Sequence, residues 1–144
     1  MTKKLSVAFA ALAVILTIVA PLSAQSFSLT AKIPFEFSAS GKTLPAGDYS
    51  VVMSTGLQSI VQVRNVAMST GVLALTGSLG GGDRSRAGEP RLVFNDYGSH
   101  YVLSQVWDGY SATGREFTKS RSERELAKTA SAKRIEILAM LMPR

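Results

Sequence analysis

"KIPFEFSASGKTLPAGDYSV", residues 32–51, decides the fold. Read back to Phe27, the odd positions are Phe27, Leu29, Ala31, Ile33, Phe35 and Phe37, and the even ones Ser28, Thr30, Lys32, Pro34, Glu36 and Ser38. Strict alternation of apolar and polar side chains is the period of a β-strand with one dry and one wet face. Proline has no amide hydrogen for a ladder, so Pro34 predicts a sheet edge or a bend. "SASGK" turns the chain at Gly41, and Leu44–Tyr49 sets a corner into a second strand, Tyr49–Met53.

Outward from this stretch the same grammar repeats. Turns at Ser54–Gly56 and Ser69–Gly71 bracket strands over 57–66 and 72–76. "GSLGGGDRSRAGEP", residues 77–90, is glycine-rich, charged and without apolar period, and reads as a long loop. "RLVFND" and "SHYVLSQVW" flank Tyr97-Gly98 as a hairpin, and beyond a turn at Asp108-Gly109 a further strand is expected over Tyr110–Phe117. Ser120/Glu123 and Ser122/Glu125 each fit the S-x-x-E capping box, so a short helix is predicted to about Ala130, with Leu126 and Ala127 inward. "KRIEILAMLM" fits a buried strand or a helix; its isoleucines favour the strand. The expected fold is mainly β: an antiparallel sandwich or small barrel of about seven or eight strands with one short C-terminal helix.

The N-terminus is a different object. Lys3 and Lys4 precede an apolar run from Leu5 to Ala20, which Pro21 ends before "LSAQS". A basic head, a short apolar stretch and small residues at the exit are the pattern of a secretory signal peptide. The run is shorter than the roughly 20 residues that span a bilayer. Residues 1–24 are read as the signal, cut after Ala24, with cleavage after Ser26 the alternative; residues 25–144 form one domain. Loss of Lys3 and Lys4 lowers the formal charge by two, from +6 to +4. There is no cysteine, so no disulfide is expected even in an oxidising compartment.

Chemistry-bearing residues are sparse. His100 is the sole histidine, beside the predicted hairpin turn. A protein metal site usually takes three or four ligands, so no metal or cofactor is expected. No G-x-S-x-G elbow accompanies a catalytic triad. Asp96, Asp108 and Glu116 fall near turns without a spacing that pairs carboxylates. Gly80–Gly82 with Asp83 lacks the P-loop pattern. Arg84, Arg86 and Arg91 surround the loop and suit an anionic surface group, such as a polysaccharide or phospholipid headgroup, or serve only to solvate it. Tyr101 and Trp107 share a period-two face that could line a ligand pocket, but large aromatics in strands are more often core, and they read as core. The basic residues at 115–128 are interleaved with acids, and no nucleic-acid motif accompanies them.

"IPFEFSASGKTLPAGDYSV", "PRLVFNDYGSHYVLSQVW" and "GREFTKSRSERELA" together resemble a family of small exported bacterial β-rich proteins with the pattern I-P-F-x-F-x-x-x-G-x-x-L-P-A-G-x-Y. The resemblance covers nearly all of residues 31–130. It implies export and a β-rich domain, and it carries over no catalytic residue. Leu44-Pro45-Ala46-Gly47-Asp48-Tyr49 is also similar to the L-x-P-G-x-Y corner of transthyretin-like and other Greek-key modules, which implies a tyrosine hydroxyl bonded back to the turn. There the corner precedes a late strand; here it precedes the second.

The leading expectation is therefore an exported, non-catalytic β-domain, periplasmic or secreted, that binds or organises an envelope component. The alternative is a carrier holding a small apolar ligand in a barrel. An enzyme is the least expected class, and no catalytic, cofactor or metal residue is assigned. No nucleic-acid partner and no transmembrane span after signal removal are expected. The loop from Gly77 to Pro90 is the first place to look for a site.

Overall fold

A computed structural model describes residues 26–54, 60–81, 88–110 and 113–142. The expected signal, residues 1–24, lies outside the described residues, as do Arg84 and Arg86. The strands are β1 (Ser26–Ile33), β2 (Phe37–Ala39), β3 (Lys42–Leu44), β4 (Gly47–Ser54), β5 (Ile60–Asn65), β6 (Gly71–Leu79), β7 (Arg91–Asp96), β8 (Tyr101–Trp107), β9 (Gly114–Phe117), β10 (Lys133–Leu138) and β11 (Met140–Leu141). One helix, α1 (Arg121–Thr129), precedes the last two strands.

Among the described residues the fold is mainly β with a single short helix, as expected. The strand count is higher because Pro34 ends β1 and the chain resumes as β2, because Lys42–Leu44 pairs with β2 as β3 where only a turn was expected, and because the last segment is split at Ala139. The strands form one mixed sheet in the order β10-β7-β8-β9-β6-β5-β4-β1-β11, with β2 joined in parallel to β8. The ladder is not closed. Its two ends, β10 and β11, are consecutive in sequence, so the chain itself passes from one sheet edge to the other at Ala139. There the Ala139 amide donates to the Pro90 carbonyl at 2.8 Å.

The alternating face of residues 27–37 is the core face. Leu29, Ala31, Ile33 and Phe37 are buried with Val51, Val61, Val63, Leu92, Phe94, Leu103 and Val106. Phe37 stands edge-on to Tyr49 at 5.1 Å and to Phe94 at 5.4 Å between ring centroids. Pro34 bends the chain so that Phe35 stacks on Tyr101 at 4.1 Å. The opening stretch thus feeds aromatic rings into the junction between the two ends of the sheet.

The corner behaves as its resemblance implied. Tyr49 is fully buried, and its hydroxyl donates to the Pro45 carbonyl at 2.6 Å. Gly47 is needed for close approach: a Cβ there would lie 2.9 Å from Asn65 Nδ2. Asn65 is itself buried, and its Oδ1 accepts from the Ala67 and Met68 amides at 3.0 and 2.9 Å. One asparagine therefore ties the β5–β6 hairpin to the corner.

Helix α1 begins at the predicted cap. Ser120 Oγ accepts from the Glu123 amide at 3.1 Å. Glu123 does not close the box by reaching back. It is buried and accepts at Oε1 from Asn95 Nδ2 at 3.0 Å and from the Tyr97 hydroxyl at 3.1 Å. The expectation that Leu126 and Ala127 face inward is corrected: Leu126 is half-buried and Ala127 exposed, and a carboxylate docks the helix instead. Among the described residues no helix is long and apolar enough to cross a membrane.

Candidate functional site

The β7–β8 hairpin has two buried faces of opposite character. In register, Arg91 pairs with Trp107, Val93 with Gln105 and Phe94 with Leu103, so Ser104 is an extra residue. This bulge shifts the alternation along β8. Tyr101 and Leu103 point into the core with Val106, while Gln105 and Trp107 turn to the outer face. A bulge re-aims side chains in this way by opposing two residues to one. The sequence expectation that Tyr101 and Trp107 share one core face is thus corrected.

On the outer face, cross-strand partners line up in rows. One row runs Glu116, Gln105, Val93, Glu136 across β9, β8, β7 and β10. The next runs Trp107, Arg91, Leu138. Together with Leu79, Gly80 and Gly81 from the start of the predicted loop, and Arg134, these residues border a hollow of about 420 Å³. Gly77–Leu79 are part of β6 and pair with β9, so the loop begins later than its composition suggested.

Arg91 lies at the floor. Only 7% of it is exposed. Its guanidinium carbon sits 4.9 Å from the Trp107 ring centroid, within the range of a cation–π contact. Nη1 donates to the Glu89 carbonyl at 3.3 Å. Nε is 3.8 Å from Glu136 Oε1, too far for a hydrogen bond, and it is the buried side-chain polar atom left without a hydrogen-bond partner among the described residues. Trp107 is held in turn: its Nε1 donates to Gln105 Oε1 at 3.1 Å. Its ring lies against Gly114, where a Cβ would come within 2.7 Å of the indole. Entry into β7 is fixed by the Ala139–Pro90 bond and by Gly109, where a Cβ would meet Pro90 N at 2.8 Å.

The other candidates fall elsewhere. His100 is exposed on the hairpin turn, with Nδ1 2.9 Å from Ser99 Oγ. The Asp96 and Asp108 carboxylates each cap their own turn, accepting from the Gly98 and Tyr110 amides at 2.8 Å. Glu116 comes to the hollow with Glu136, a meeting invisible in sequence because 20 residues and the helix α1 separate them along the chain and β7 and β8 lie between them in the sheet. Three strand spacings, on the order of 14 Å, divide their backbones. Of the three loop arginines, Arg91 lines the hollow; Arg84 and Arg86 are outside the described residues. No group of three or more His, Cys, Asp or Glu that could hold a metal occurs among the described residues. A second hollow of about 440 Å³ lies on the β5–β6 hairpin, where Arg64 is the one charged side chain and is exposed.

Comparison with known proteins returns no matching family model, no matching curated protein and no matching solved structure.

Proposed function

We propose that the chain is an exported, non-catalytic binding module of the cell envelope, and that its ligand occupies the outer hollow of β7, β8, β9 and β10. The observation that carries this reading is Arg91. A buried guanidinium with an unpartnered Nε is costly unless something completes its hydrogen bonds. Its surroundings hold it rigid from three sides, as preorganised binding groups are held. The outward rows supply further polar groups at Gln105, Glu116, Arg134 and Glu136. Such a mixture orients a polar ligand rather than dissolving an apolar one.

Export is supported by the lysine-headed apolar segment that Pro21 ends before "LSAQS". The non-catalytic part is supported by His100 lying on an exposed turn against Ser99. The apolar carrier has less to draw on: the sheet interior is filled by Phe37, Phe94, Tyr49 and their aliphatic neighbours.

Two measurements test the reading. Expression of the full chain in a bacterial host should yield an exported product whose mass corresponds to removal of residues 1–24. Titration of the ¹⁵N-labelled product with solubilised envelope fractions should shift the Trp107 indole and Gln105 side-chain resonances first. Retention of the segment in the cytoplasm, or fractions that move only residues remote from the hollow, would refute it.

A further inference from the structure

We infer that the tip of the β5–β6 hairpin docks on an anionic phospholipid surface, with Val66 and Met68 entering the apolar layer and Arg64 and Lys42 at the headgroups. The inference goes beyond the reading above and does not depend on the hollow of β7–β10. Residues 66–70, "VAMST", join the two strands. Hairpin connections draw mostly on Gly, Asn, Asp and Ser, which suit tight turns in water. Here Val66 and Met68 stand 65% and 56% exposed instead.

The backbone beneath them is prepared to leave water. The Asn65 amide donates to the Thr70 carbonyl at 2.9 Å, and the Val66 amide to the Asp48 carbonyl at 2.8 Å. The Ala67 and Met68 amides both donate to Oδ1 of the buried Asn65. Four consecutive amides thus have partners within the protein. In an apolar layer an unpartnered amide has no water to turn to, so a tip can enter only if its donors are closed. What remains to transfer is side chain.

The charges behind the tip complement an anionic surface. Arg64 is exposed and pairs across the hairpin with Gly71. Lys42 Nζ donates to the Gly71 carbonyl at 2.8 Å, which holds a second cation at the same level. Two strand residues, roughly 7 Å, separate that level from Val66. This matches the depth, about 5–10 Å, to which interfacial apolar groups sink beneath headgroups. The acid tied to the tip is Asp48, and the exposed Lys32 stands opposite it on β1. Lys32 offsets Asp48 and leaves Arg64 and Lys42 in excess. The hollow of about 440 Å³ on this hairpin is lined by Arg64, Ser69 and Thr70, a cation and two hydroxyls at the height of a phosphate group. Apolar insertion and charge attraction are each weak here; together they give reversible attachment.

The chain has no cysteine, so Ala67→Cys places a single thiol on the tip for an environment-sensitive dye. The labelled product of the full chain is titrated with vesicles of phosphatidylcholine alone and with an equal mixture of phosphatidylcholine and phosphatidylglycerol. A saturable blue shift is expected with the mixture, weakening as salt is raised. Arg64→Gln should require about five-fold more lipid, the weight of one cation near a charged bilayer. Met68→Asp should abolish the shift. Leu75→Cys carries the same dye at an exposed apolar position lower on β6 and should stay silent. The inference is overturned if the mixture gives no shift, if neutral vesicles equal it, if the Leu75 position reports the same change, or if both variants respond like the parent. A shift that grows with protein concentration in the absence of vesicles would assign the tip to a second copy of the chain and overturn it as well.

Discussion

The two faces of the β7–β8 hairpin are about equally buried and built on opposite rules. The inner face carries Leu92, Phe94, Leu103 and Val106, all apolar and packed against aromatic rings. The outer face mixes Arg91, Asn95, Gln105 and Trp107 with the buried Val93 and Val102. That outer face divides again. At the helix end, Glu123, Asn95 and Tyr97 satisfy one another. At the hollow end, Arg91 is left incomplete. Burial alone therefore does not mark a structural residue. A closed set of hydrogen bonds reads as a joint between elements, whereas an open set at a hollow reads as a place for a ligand. Each prediction below asks whether one of these regions behaves as its bonding implies.

The inner face should dominate stability. Phe37→Ala removes a ring that contacts both Tyr49 and Phe94 at the junction of the sheet ends, and should cost about 3–5 kcal/mol. Urea unfolding checks this: the midpoint should fall sharply with little change in slope. A shift below about 1 kcal/mol would mean that the junction collapses around the gap.

The helix joint comes next. Glu123→Ala leaves the Asn95 amide and the Tyr97 hydroxyl without their shared acceptor, at a cost of about 1–3 kcal/mol. The same joint predicts a pH dependence. Burial, and secondarily the Glu123 carboxylate, push the Tyr97 phenol above its ordinary value. A raised folded pKa means that the proton is held more tightly in the folded chain. Its contribution is thus fully present below the unfolded value of about 10 and is lost as pH rises through the folded one. Thermal melts across the alkaline range should show the parent's advantage over Tyr97→Phe shrinking above about pH 10. A constant gap would show that the phenol is not linked to folding.

The corner is a smaller device. Tyr49→Phe keeps the ring against Phe37 and deletes only the bond to the Pro45 carbonyl, so about 1 kcal/mol should be lost. An unchanged urea midpoint would show that the Pro45 carbonyl finds another donor.

These regions were not equally legible in the sequence. The inner face could be read because period-two alternation from Phe27 to Phe37 is a local signal, and the Pro34 bend, the Tyr49 corner and the Ser120 cap are local too. The outer face could not. Its composition depends on one unpaired residue, Ser104, and nothing in "YVLSQVW" marks a bulge at that position. Without it, Trp107 and Gln105 would continue the Tyr101 face. The Glu123 side chain was misassigned for a related reason: the capping-box pattern specifies a local bond, and a tertiary partner on β7 took its place. Glu136 was equally hidden, because its approach to Arg91 depends on β10 pairing with β7. Arg91 itself stood out in sequence only as one of three arginines near a loop.

Arg91→Gln should therefore have the smallest effect on stability and the largest on the site. The substitution gives up a cation–π contact worth about 0.5–2 kcal/mol. It also removes a charge that is desolvated yet incompletely bonded, which is itself unfavourable. Glu136, left behind, has 38% of its side chain exposed and keeps a further interaction of its own, so it is not stranded. The two contributions oppose each other, and the net change in the urea midpoint should correspond to less than about 1 kcal/mol. A structural ion pair behaves otherwise: deleting one partner of a closed, buried pair costs about 3–5 kcal/mol because the other is stranded. A loss of that size would make Arg91 the outer counterpart of Phe37, a strut, and would erase the difference between the two ends of the outer face. Near-neutral stability is the pattern of a residue that does not hold the sheet together.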